Sequence, residues 1–105
     1  TANPDIAVLY CTNDEMAMGA GEAVKAQGLA DQITVIGFDG APSAAQGIID
    51  GIMNASVAQA PGKMAQMGVA AAYEFIVNGV TPEAEVDTGC TMVTKDNAKE
   101  YLNWH

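Results

Sequence analysis

Four short apolar runs, each separated from the next by a stretch of helical length, constrain this chain more than any other feature. Ile6 to Tyr10 (IAVLY) is continuous, β-branched and aromatic, and follows Asn3-Pro4-Asp5. Such a run reads as a fully buried strand. Ile33 to Phe38 (ITVIGF) is a second, ending at Asp39-Gly40. Met53 to Gln59 (MNASVAQ) alternates and reads as a third; Thr88 to Thr94 is strand-like again. Between the first two, Met16, Gly19/Ala20, Ala23/Val24 and Gln27 recur at helical spacing up to Gly28. The capping types Thr12-Asn13-Asp14-Glu15 precede them, and Gly28 is a C-cap. Pro42 stands where a helix begins, and Ser43 to Asp50 reads as a short helix stopped by Gly51. Pro61 opens a long helix to Val77, closed by Asn78-Gly79, and Asp96 to Leu102 is a short terminal helix. The order βαβαβαβα predicts an α/β fold, a parallel sheet with helices on both faces and right-handed crossovers.

Half of the residues are hydrophobic, enough for a core, and 16% are charged against about 25% in ordinary soluble domains. Disorder needs the opposite balance. By the same measure, 105 residues make one domain. Four lysines face 13 acids for a net charge of −9, and there is no arginine. Nucleic acid and anionic lipid are therefore excluded as partners of this chain. No apolar run approaches the roughly 18–20 residues of a membrane span, so no direct membrane insertion is expected. The richest stretch, Met64 to Val77, is broken by Gln66, Gly68 and Glu74. The chain opens Thr1-Ala2-Asn3-Pro4 without a signal peptide, as a mature or excised segment would.

In a parallel sheet of this kind, ligands bind beyond the carboxyl ends of the strands. That rule singles out Thr12-Asn13-Asp14, Asp39-Gly40 and Gln59-Ala60. An ionised Asp accepts at two oxygens, while Asn and Gln both donate and accept. Asn13, Asp39 and Gln59 together suit a polyhydroxyl ligand, with the carboxylate supplying the stronger, charge-assisted bonds. Each has a plainer reading: Asn13 or Asp14 caps the next helix, Asp39-Gly40 is a turn, Gln59 a strand end.

No catalytic template fits. The single histidine is the terminal His105, no GxSxG occurs, and Gly19-Ala20-Gly21 lies within a helix rather than in a phosphate-binding turn. Its small residues suit close helix–sheet packing. Cys11 and Cys90 lack metal-ligand spacing; Cys11 reads as a reduced structural thiol, and a disulfide between the two stays open. An enzyme is not expected, nor any metal or cofactor.

The segments CTNDEMAMGAGEAVKAQGL (11–29), ITVIGFDGAPSA (33–44), IIDGIMNASVAQAPGKMAQMGV (48–69) and VDTGCTMVTKDNAKEYL (86–102) resemble the C-terminal part of periplasmic sugar-binding proteins of ABC transporters, of the ribose/allose/xylose type. The resemblance implies that Asn13, Asp39 and Gln59 contact a monosaccharide. It implies two lobes joined by three crossovers, of which this chain holds an incomplete part. Residues 1–59 would belong to the C-terminal lobe, 60–87 to a hinge crossover whose helix packs on an N-terminal lobe, and 88–105 to a returning strand and terminal helix. The implied partners are a monosaccharide, the N-terminal half of the same protein or another chain, and an ABC permease; the implied location is the periplasm. The effector domain of lac-repressor-type regulators shares the ND-MA and GFD motifs and is the second candidate. Those regulators typically follow GFD with another Asp, where this chain has Gly40.

Overall fold

The computed structural model describes residues 3–104. Eight elements follow one another: β1 Val8–Tyr10, α1 Asp14–Ala26, β2 Thr34–Asp39, α2 Pro42–Ile49, β3 Ala55–Ala58, α3 Pro61–Asn78, β4 Thr91–Val93 and a 3-10 helix, Ala98–Tyr101. The strands form one sheet in the order β1-β2-β3-β4. β1, β2 and β3 are parallel, with Tyr10 beside Ile36 and Phe38 beside Val57. The expected α/β alternation therefore holds for the first three strands and the two helices between them.

α1 and α2 end alike. Beyond α1, Gly28 adopts a φ of 70°, and Leu29 N–H bonds back to Val24 C=O at 3.0 Å. Beyond α2, Gly51 adopts 76°, and Ile52 N–H reaches Gly47 C=O at 2.8 Å. A residue free of Cβ is what lets the chain turn left-handed there and satisfy the last carbonyls. Both helices pack side by side on one face of the sheet, where Gly47 lies against Met18. Their small inner residues, Ala17, Ala44 and Ala45, are buried with Val35, Ile48, Met53, Val93 and Ala98. Gly21 abuts the backbone of Ile52, in the connection between α2 and β3 rather than in the sheet, whereas Gly19 faces open space.

Two features of the predicted sheet are corrected. β4 is antiparallel to β3, with Thr91 beside Ala58 and Val93 beside Ser56. The reason lies in α3, which leaves the end of β3 and never returns across the sheet. Residues 79–90 run back beside it instead, and Lys63 Nζ in its first turn donates to Thr88 C=O at 3.1 Å. The chain thus re-enters where β3 ends and must run the other way. Secondly, helices cover one face only among the described residues. On the other face Val8, Tyr10 and Met92 are more than half exposed, so β1 is not the doubly buried strand its composition suggests. α3 has no buried residue at all, and Val69, Tyr73, Phe75 and Ile76 stand open to solvent. The terminal His105 lies outside the described residues. Cys11 is half-buried and Cys90 exposed, both as free thiols.

Candidate functional site

The carboxyl ends of β1, β2 and β3 lie together at one end of the sheet, and the three sequence-selected residues stand there. Asn13 follows β1 and caps α1: its Oδ1 accepts from Met16 N–H at 2.8 Å. Its amide nitrogen is not used in that bond and remains a donor. The capping reading and the ligand-facing reading are therefore compatible in one side chain.

Asp39 and Gln59 are brought into contact. Gln59 Nε2 donates to Asp39 Oδ1 at 2.7 Å, and Gln59 N–H donates to Asp39 C=O at 3.1 Å. The second carboxylate oxygen of Asp39 and the amide oxygen of Gln59 are left as acceptors, and Gln59 keeps one amide hydrogen. The pair lines a hollow of about 300 Å³ with Pro61, Met64 and Trp104. That volume is at the lower end for small-molecule sites, which run from about 300 to 1,000 Å³. A larger hollow, about 600 Å³, lies along α3 and residues 80–88 and contains none of the three. Among the described residues no cluster of metal-ligating side chains exists.

Asp39 is also the one non-glycine residue with a left-handed φ, 123°, among those described. Gly40 follows at 75°, its Cα packed so closely on Ala58 that an added Cβ would stand 2.7 Å from that residue's Cα. Behind this turn sits Asp14, entirely buried. Its Oδ2 accepts from Ala41 N–H at 2.8 Å, and its Oδ1 accepts from Ser56 Oγ at 2.7 Å. Ser56 Oγ in turn accepts from Gly40 N–H at 3.1 Å. Burial is the main influence raising the Asp14 carboxyl above the ordinary carboxylate range. The charge of Asp39 adds to it, while the bonds from Ser56 and Ala41 and the nearby N–H of Gly40 pull the other way. The sequence places Asp14 among the strand-end residues and as an alternative helix cap, not as a buried anchor. Its partner Ser56 and the aromatic wall Trp104 carry no motif, although Trp104 is the chain's single tryptophan.

The periplasmic binding protein domain family matches residues 1–79. The chain belongs to the periplasmic binding protein family. The ribose import binding protein of Salmonella typhimurium is 36% identical over 95 residues, which cover 90% of this chain and 31% of that protein. The D-allose-binding periplasmic protein of Escherichia coli is 42% identical over 67 residues, 64% of this chain and 22% of its own length. Among solved structures, the myo-inositol binding protein of Caulobacter, bound to myo-inositol, matches with a TM-score of 0.76 at 39% identity. The match covers 89% of this chain and 31% of that one. An ABC transporter periplasmic solute binding protein from Actinobacillus succinogenes with bound D-allose matches with a TM-score of 0.81 at 33% identity, over 95% and 35%. The chain thus spans about a third of the length of these periplasmic binding proteins. They are binding proteins rather than enzymes, and the regulator alternative is not favoured. No described helix is long and apolar enough to cross a membrane.

Proposed function

We propose that this chain is the C-terminal part of a periplasmic protein that captures a monosaccharide and delivers it to an ABC permease for import. The observation that carries the reading is the Asp39–Gln59 pair, held at 2.7 Å with unused acceptors facing a hollow at the strand ends. Asp39 accepts from sugar hydroxyls, and Asn13 and Gln59 each complete the set with a donor. The ribose- and allose-binding relatives support this ligand class.

Capture needs a second wall. Residues 1–59 belong to one lobe, and the chain leaves it at Gln59-Ala60 and returns near Thr88-Gly89. α3 then packs on the N-terminal half of the same protein or on another chain; its exposed apolar side chains, Val69, Tyr73, Phe75 and Ile76 among them, support that assignment. The two lobes close on the sugar about these crossings.

Calorimetry on the full-length protein with D-ribose and D-allose tests the site. Asp39→Ala is expected to weaken binding by more than about 2 kcal/mol, roughly thirtyfold, because sugar hydroxyls would be buried without partners. Affinity within twofold of the wild type would overturn the assignment.

A further inference from the structure

We infer that Asp14 is a positioning residue for sugar binding: through Ser56 and the backbone of Gly40 and Ala41, it holds Asp39 in the conformation that meets Gln59. The inference rests on the proposed role of Asp39 and adds a residue that touches no ligand.

The turn after β2 is the least natural backbone in the described chain. Asp39 and Gly40 are both left-handed, at φ 123° and 75°. An L-residue held in a sparsely populated region is strained and persists only where its surroundings over-determine it. Here the surroundings can be named. The first two N–H groups beyond Asp39, those of Gly40 and Ala41, end on Ser56 Oγ and Asp14 Oδ2. Ser56 Oγ passes its own hydrogen to Asp14 Oδ1 at 2.7 Å. Both bonds that fix the turn therefore converge on one carboxylate, and each of its oxygens takes one donor.

The carboxylate reaches this place because β2 makes room for it. A Cβ at Gly37 would run into Asp14 Oδ1 and Ala17. Neither Asp14 nor Ser56 has any exposed surface. On the far side, Gln59 grips Asp39 by backbone and side chain. Asp39 is thus set between a buried anchor and an open amide. A helix cap alone would need one oxygen on the N–H groups of its own helix; both oxygens of Asp14 are instead spent on residues 27 and 42 positions away.

The test compares Asp14→Asn, Asp39→Asn and the double variant in the full-length protein, titrated with D-ribose and D-allose. Asparagine keeps the size of Asp14 but offers only one acceptor. Asp14→Asn is expected to raise Kd about tenfold with the fold intact, the scale of one charge-assisted hydrogen bond. The double variant is expected to bind no more weakly than Asp39→Asn, because Asp14 acts through Asp39. Binding by Asp14→Asn within twofold of the wild type, or losses that multiply in the double variant, would overturn the positioning role. Wild-type affinity in Asp39→Asn would instead overturn the site itself. Should Asp14→Asn fail to fold, Ser56→Ala cuts the same link by removing one atom, with the same tenfold expectation and the same twofold limit.

Discussion

At the scale of single residues, Asp14 and Asp39 differ in surroundings and therefore in task. Asp39 lines the hollow and spends one carboxylate oxygen on Gln59, whereas Asp14 has no exposed surface and faces Asp39 as its charged neighbour. Burial raises the Asp14 carboxyl, so the folded state holds its proton more tightly than the unfolded chain does. Stability from this group is then fully present below the ordinary value of 3.8 and is lost as pH rises through the raised one. Asp14→Asn carries no charge at any pH, but it leaves one of the donors of Ser56 and Ala41 without an acceptor. Its stability relative to the wild type is therefore expected to rise with pH through that window and to fall as pH drops, as read from urea midpoints of both proteins. Gly40 gives a second, independent expectation. An alanine there must be left-handed and must also displace Ala58, so a loss of at least about 2 kcal/mol is expected in denaturant unfolding. Gly51→Ala, left-handed but with nothing within 4 Å, should lose only about 1 kcal/mol.

Among the elements, α1 and α3 show what periodicity does and does not say. α1 was legible from apolar spacing and α3 from Pro61 at its start, each with a glycine beyond the last turn. α1 buries Ala17, Gly21 and Val24 on the sheet, while α3, 18 residues long, buries nothing. Helical stability in proteins comes mostly from tertiary packing of an apolar face, which α3 lacks among the described residues. Amide hydrogen exchange on the 105-residue chain is therefore expected to find α3 protected far less than α1 and β2. Equal protection would mean that some surface covers α3. β4 carries the complementary lesson. Its strand character was readable in Thr88 to Thr94, but its direction was not, because direction depends on where α3 and residues 79–90 bring the chain back. The terminal segment, expected as a helix over 96–102, narrows to the 3-10 turn Ala98–Tyr101, short because Asn97 Oδ1 takes the Thr94 N–H at 2.8 Å and fixes a tight turn before it.

For the whole molecule, one sheet face and the helix α3 lie open among the described residues. The chain alone is expected to bind D-ribose with a Kd above roughly 1 mM, since half a cleft leaves its hydrogen bonds in competition with water. It is also expected to self-associate in sedimentation velocity through Val8, Tyr10, Met92 and the apolar side of α3. Micromolar sugar binding by a monodisperse monomer would contradict both. The amino-acid sequence by itself determined the element order, the parallel run of β1, β2 and β3, and the residues at their ends. Each of these follows from local periodicity, capping and the geometry of parallel strands. Only the tertiary structure decided that Asp39 meets Gln59 and that Asp14 and Ser56 stand behind the turn. These depend on contacts between residues 20 to 42 positions apart, which no local pattern encodes. The reversal of β4 and the bare sheet face have the same origin: a strand's composition reports that it can be buried, and the path of the chain decides what buries it.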